Sequence, residues 1–164
     1  MRTIFIVVLL SLVFPTLLYA KPKLHVSEKK LLHVLMKIEN PDNVPNLVGD
    51  KHLKNKAIGP LQIRLPCLSD VNWIVGRKEM RRIWGKSRLN MKDMNDIKMA
   101  KWVCLTYVYY WGEIYEKQKG KKPDIVVYAR IFNGGPDGWK NWKTRCYALA
   151  VKQHIKEYEK KKKS

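Results

Sequence analysis

The sequence predicts a mainly α-helical domain. Apolar residues recur at helical spacing in several separate stretches. Each stretch is bounded by a capping residue or a Gly/Pro stop, and the residues with special backbone chemistry gather in the loops between.

Residues 1–20 have the layout of an export leader. Arg2 gives a positive start, Ile4 to Val13 is apolar apart from Ser11, Phe14-Pro15 bends the end, and Leu18-Tyr19-Ala20 offers a cleavage point before Lys21. The run is too short to span a bilayer with these flanks. The expected organisation is a leader over 1–20, one domain over 21–159 and a basic tail over 160–164. No later segment is apolar for long enough to cross a membrane, so a secreted, soluble mature chain is expected.

The first helix is expected from Ser27, its N-cap, to Glu39. Leu31, Val34, Leu35 and Ile38 lie at i, i+3, i+4 and i+7, and Asn40-Pro41 stops the run. Residues 41–60 hold three Pro, two Gly and several Asn and Asp, the composition of a loop with room for a small hairpin near 47–64. Ser69 is placed to cap a short helix through Val75, closed by Gly76, and 77–92 reads as basic and irregular. A long helix is expected from near Asp93 to about Gln118, with Cys104, Val108, Trp111 and Tyr115 on one stripe. Gly120 to Pro123 breaks it. Asp124 is placed to cap a helix through Phe132, although the β-branched Ile125, Val126 and Val127 suit a strand equally well. Asn133-Gly134-Gly135-Pro136 ends that element. A last helix is expected from about Lys140 to Tyr158, dissolving into Lys160–Lys163.

The chain of 164 residues carries a formal charge of +19, and loss of Arg2 with the leader lowers this by one. Such a charge speaks about partners rather than fold. Export argues against nucleic acid and leaves acidic glycans, teichoic-type polymers and anionic matrix surfaces. Cys67, Cys104 and Cys146 make an odd count. Two arrangements stay open, buried free thiols or one disulfide with one thiol left over, and the odd thiol permits a link to another chain. No Cys-x-x-Cys or His cluster has metal-ligand spacing, and no cofactor is implied.

Glu39 is the first candidate for chemistry. It ends a helix on the side of Leu32, Leu35 and Met36, where lost solvation raises a carboxyl pKa and suits it to act as a general acid. Gly49-Asp50 follows the loop, then Gly59-Pro60-Leu61-Gln62-Ile63, and much later Phe132-Asn133-Gly134-Gly135-Pro136-Asp137-Gly138-Trp139.

These marks, in this order and at these spacings, resemble the lysozyme-like superfamily, especially soluble-lytic-transglycosylase and goose-type domains, over roughly residues 28 to 155. The resemblance implies a lysozyme-like helical domain with a substrate cleft. It makes Glu39 the general acid. It places Gln62 at the cleft floor, bonded to sugar or loop backbone, with Gly59 giving close backbone approach. Asn133 and Gly135 shape the opposite wall. Asp50 occupies one of the two Asp positions of goose-type relatives and is the one obvious candidate base, while Arg64 holds the other. Asn40 stands where Ser is frequent, and Phe132 where a Tyr is frequent. Phe132 brings no hydroxyl, and Tyr128, one helical turn earlier, is the candidate substitute. Among Trp73, Trp84, Trp139 and Trp142, Trp139 is favoured for stacking on sugar because it sits beside the Gly-rich turn.

Two main expectations follow. One is a secreted muramidase or lytic transglycosylase acting on β-1,4-linked amino-sugar polymers of peptidoglycan or chitin-like type. The other is a lysozyme-like extracellular matrix component, in a shell, cuticle or egg layer, that binds acidic or chitin-like polymer without turnover. Arg64 and Phe132 favour the second. A third reading, an antimicrobial acting on membranes by charge alone, needs only the basic surface.

Overall fold

A computed structural model describes residues 24–163, so the expected leader over 1–20 lies outside the described residues. Among the described residues the chain is mainly helical with one small hairpin. In order come α1 (Glu28–Glu39), β1 (Val48–Gly49), β2 (Ala57–Ile58), α2 (Leu65–Trp84), α3 (Ile97–Lys119), α4 (Ile125–Gly134) and α5 (Arg145–Lys163), with 3-10 turns at Met91–Asn95 and Trp142–Thr144.

α1 begins and ends as its sequence requires. Ser27 Oγ accepts from the Lys30 N–H at 3.3 Å, which satisfies one of the amides a helix start leaves open. Asn40 leaves helical geometry while its N–H still bonds Met36 O. Leu31, Val34 and Leu35 are fully buried, each worth about 2 kcal/mol of apolar burial. The same stripe that builds the core therefore fixes where Glu39 points.

The loop after α1 closes through side chains. Asn40 is buried, accepts from the Val44 N–H at 2.8 Å and donates to Val44 O at 3.0 Å. β1 and β2 pair antiparallel, Val48 with Ile58 and Gly49 with Ala57. β2 then turns back on itself at the Ile58–Ile63 bridge. Gly59, at φ +78°, makes that turn, and a Cβ there would stand 1.9 Å from the carbonyl oxygen of Met94. Only a glycine combines this dihedral with this approach.

α2 departs from expectation at both ends. It starts at Leu65 rather than Ser69, with Pro66 in its first turn, where the missing N–H costs nothing. Gly76, at φ +74° and ψ +162°, breaks the helix where the sequence placed a stop. Helix resumes beyond it through Trp84, where an irregular stretch was expected, because Met80 is fully buried and anchors the second segment. The chain then returns to Asn72, whose side-chain amide accepts from the Leu89 N–H and donates to Leu89 O, both at 2.9 Å.

α3 is the central element. Asp93, the expected start, is used instead in a capping box with Asn90 on the 3-10 turn, and Asp96 caps α3 by accepting from the Lys98 and Met99 N–H groups. Val103, Cys104, Thr106 and Val108 are fully buried. α4 resolves its open alternative as helix. Asp124 accepts from the Val127 N–H at 2.8 Å, and Tyr128, Ala129 and Ile131 enter the core, so packing overrides the β-branched run. The seam between α3 and α4 depends on Gly112, where a Cβ would meet the Tyr128 ring at 2.4 Å.

α5 starts at Arg145, after the 3-10 turn that Asn141 caps, rather than at Lys140. It runs on to Lys163, through the lysines expected to form a tail. Lysine is a good helix former, and its charge suits a helix C-terminus. An ion pair between Lys30 and Glu159 ties this end to α1.

Among the described residues no helix is long and apolar enough to cross a membrane. Cys67, Cys104 and Cys146 are free, so the chain carries no disulfide between them. Burial pushes the Cys67 and Cys104 thiols well above their ordinary range, which leaves both unreactive. Cys146 is exposed.

Candidate functional site

The end of α1, the hairpin, the start of α2 and the end of α4 converge on one cavity of about 260 Å³. Its lining includes Glu39, Asp50, Gln62, Arg64, Cys67 and Asn133. Four residues singled out from the sequence, separated by as many as 94 positions, thus face one space.

Glu39 is the pivotal group. Burial raises its carboxyl pKa above the ordinary value, and the nearby Asp50 charge adds to the rise. The Tyr147 hydroxyl and the Arg64 guanidinium oppose it without reversing it. Tyr147 Oη–H donates to Glu39 Oε1 at 2.6 Å. This contact spans from α1 to α5 and holds one carboxyl oxygen in place, leaving the other for the cavity. A desolvated carboxyl with one oxygen anchored is arranged to deliver a proton.

The hydroxyl near the acid does not come from the candidate chosen by sequence. Tyr128 is buried against Gly112, its hydroxyl bonds backbone at His25, and burial pushes its pKa up to about 12. Phe132 lines the cavity without a hydroxyl. Tyr147 fills the role, and the signal for it was weak. It sits four residues before Val151, the one fully buried position of α5, on the stripe that meets α1.

Asp50 and Arg64 form an ion pair across the hairpin, Arg64 Nη2 to Asp50 Oδ2 at 2.5 Å. Asp50 is therefore present in the cavity but engaged, and at φ +50° it occupies a left-handed position that Asp tolerates better than most residues. The Asp50 carboxylate is thus engaged by Arg64 rather than free toward the cavity.

Gln62 works on the backbone. Its Nε2 donates to Gly59 O at 2.7 Å and to Leu47 O at 3.2 Å, which uses both amide protons. Its Oε1 packs against Gly49 so closely that a Cβ there would be 2.0 Å away. Gln62 is thus the clasp of the hairpin, and what it can offer a ligand is its carbonyl oxygen. Like Asp50, it adopts positive φ, +47°. Two non-glycine residues in this region within thirteen positions mark a backbone held off its preferred basins by its surroundings.

Asn133 is exposed at the cavity edge. Gly135 and Trp139 are not among the residues that line the cavity. Gly135 caps α4 and accepts from the Gly138 N–H at 2.8 Å. Trp139 packs edge-to-face on Tyr115, 5.2 Å between ring centres, with Lys119 over its face at 4.7 Å. Its ring is engaged by Tyr115 and Lys119 at the C-terminal end of α3.

Beneath the Gly-rich turn lies a buried polar network. Thr144 Oγ1 donates to Gly138 O at 2.8 Å and accepts from Arg130 Nε at 2.8 Å, while Arg130 Nη2 donates to Asn141 O at 3.0 Å. This network fixes the wall that carries Asn133. No family model and no curated protein matches the chain.

Proposed function

We propose that this chain is a secreted, lysozyme-like protein that binds β-1,4-linked amino-sugar polysaccharide, peptidoglycan or chitin-like, and cleaves it with Glu39 as general acid. The observation that carries the proposal is the buried, pKa-raised Glu39 carboxyl, anchored by Tyr147 and opening onto a cavity walled by Gln62 and Asn133. The chain's strong positive charge favours encounter with anionic envelopes and matrices.

The Arg64–Asp50 pair supports one route over the other. Inverting hydrolysis needs a free carboxylate to activate water, and Asp50 is engaged. Glu39 alone serves both steps. Its proton passes to the glycosidic oxygen as the C1–O bond breaks. The resulting carboxylate then takes the proton of the sugar's own hydroxyl as that oxygen bonds C1, closing an anhydro ring. No water is consumed and Glu39 ends protonated.

The test compares wild type with Glu39→Gln on purified peptidoglycan, measuring clearance and product ends. Anhydro ends from the wild type and a loss of about a hundredfold in the variant are expected, as for removal of an essential general acid. Reducing ends would move the mechanism to hydrolysis, and a fully active variant would remove Glu39 from it.

A second reading rests on the same ion pair. With Asp50 held by Arg64, the cleft also suits a matrix component that retains glycan without turnover. Any disulfide to another chain would then run through Cys146, the exposed thiol. That reading predicts equal glycan retention and no products from either protein.

A further inference from the structure

A second cavity, about 640 Å³ in volume, lies between α1 and α3 and shares no lining residue with the cavity at Glu39. Small-molecule sites usually have volumes of about 300–1,000 Å³. Two side-chain stripes of the same spacing build it. Lys29, Leu32, His33 and Met36 lie at i, i+3, i+4 and i+7 on α1, and Lys98, Lys101, Trp102 and Leu105 repeat that spacing on α3. Residues so spaced share one helix face. Trp102 is held by edge-to-face packing on Trp84, 5.7 Å between ring centres. A smaller cavity of about 220 Å³ adjoins this one, with His33 and Met36 lining both, and extends the trough toward Asn40.

Floor and rim differ in chemistry. Leu32, Met36 and Trp102 are half-buried and Leu105 is buried, which makes an apolar floor, while Lys29 and Lys98 are exposed and Lys101 is half-buried. Lys30, next on α1, is paired with Glu159. Lys29, Lys98 and Lys101 have no ion-pair partner among the described residues. One carboxylate, Glu28, also lines the trough, so cations remain in excess. His33 adds no charge at neutral pH, since burial first, and then the charges of Lys37, Lys161 and His154, lower its pKa. An elongated apolar trough with excess cations is complementary to an unbranched hydrocarbon chain carrying one anionic head group. A second copy of this strongly basic chain would instead be repelled.

We propose that the trough between α1 and α3 binds a long-chain fatty-acid anion, its chain along Leu32, Met36, Trp102 and Leu105 and its carboxylate among Lys29, Lys98 and Lys101. Residues 28 to 36 cover about 12 Å of the α1 axis, a length that an extended chain follows. Met36 brings an unbranched thioether that adapts to an irregular ligand surface. Each CH₂ fully withdrawn from water strengthens binding about fourfold, so affinity rises with chain length. The site does not depend on the polysaccharide reading above, and failure of that reading leaves it standing.

The test is titration calorimetry of the purified protein at about pH 8, where a fatty acid is ionised. The ligands are octanoate, dodecanoate and the uncharged amphiphile dodecyldimethylamine oxide, each kept below the concentration at which it forms micelles. The expected result is one dodecanoate per chain, bound at least about tenfold tighter than octanoate and at least about tenfold tighter than the amine oxide. Lys29→Ser, Lys98→Ser and Lys101→Ser combined should weaken dodecanoate at least about tenfold and leave the amine oxide unchanged. Leu32→Ser should weaken both amphiphiles. The circular dichroism and melting temperature of the lysine variant should match the parent, since none of the three side chains is ion-paired among the described residues. Equal binding of octanoate and dodecanoate, dodecanoate binding that survives the lysine substitutions, or uptake of many dodecanoate ions per chain without saturation at one overturns the site.

Discussion

The α3–α4 seam and the hairpin that floors the cleft are built on opposite principles. The seam is apolar and regular. Gly112 admits the Tyr128 ring, Ala129 and Ile131 fill the space beside it, and helical periodicity does the positioning. The hairpin is short, and its strands are two residues each. Its order comes from Gln62 clasping two carbonyls, Asn40 clasping Val44, Arg64 holding Asp50, and Gly59 against Met94. Burial of apolar surface tolerates small shifts, whereas a network of directional contacts fixes atoms in place. The group proposed to do chemistry, Glu39, stands where the two meet, on the last turn of a core helix and facing the hairpin.

The comparison can be broken most severely at Gly59. Gly59→Ala forces a Cβ onto a backbone carbonyl that cannot rotate away, at a dihedral alanine resists. We expect a loss of about 3 kcal/mol in chemical denaturation, with reduced activity per folded molecule because the hairpin must move. Gly112→Ala strikes the seam instead. There the obstacle is a side-chain ring in a packed core, so a loss of about 1–3 kcal/mol is expected. Activity per folded molecule should stay near wild type, since Tyr128 does not line the cavity. Equal effects of both variants on turnover would erase the distinction between the regions.

Glu39 gives a third expectation through linkage. Its folded pKa is raised, so the native state holds a proton that the unfolded chain has released. Stability is therefore lost as pH rises from the unfolded pKa through the folded one. Glu39→Gln should flatten that part of a stability–pH curve, most visibly on its neutral side. Asp50→Asn should do little to stability, within about 1 kcal/mol, because the Arg64 pair is partly exposed. It should also change turnover by less than about tenfold if the sugar's own hydroxyl is the nucleophile, whereas loss of an essential base costs about a hundredfold or more. The smallest effect concerns Thr106, fully buried on α3 with a hydroxyl that has no hydrogen-bond partner among the described residues. Thr106→Val should be neutral or stabilising by up to about 1 kcal/mol.

The two regions also differed in how far they could be read from sequence. α1 was legible from cap to stop, since Ser27 and Asn40 act locally. The second half of α2 was not, because one buried residue, Met80, had to be seen through four basic neighbours, Arg77, Lys78, Arg81 and Arg82. Pro66 did mark the true start of that helix, in a position that suits proline. Asp93 and Asp96 are both capping residues, and only the fold assigns one to the 3-10 turn and the other to α3. At the site, the spacing of Glu39, Asp50, Gln62 and Asn133 was visible, but their pairings were not. Arg64 reaches Asp50 across a hairpin whose register sequence does not fix, and Tyr147 reaches Glu39 from 108 residues away. Trp139 was placed by its neighbours in sequence, while its partners in space, Tyr115 and Lys119, drew it elsewhere.

The central claim is that Glu39 acts as a buried acid, and the pH dependence of kcat/KM on soluble glycan tests it most directly. The account predicts an alkaline limb that falls through a pKa above the usual glutamate value, set by burial and Asp50 against Tyr147 and Arg64. Glu39→Gln should lie roughly a hundredfold lower, about 2.7 kcal/mol in barrier, with that limb gone. A variant that keeps both the wild-type rate and the same alkaline limb would contradict it.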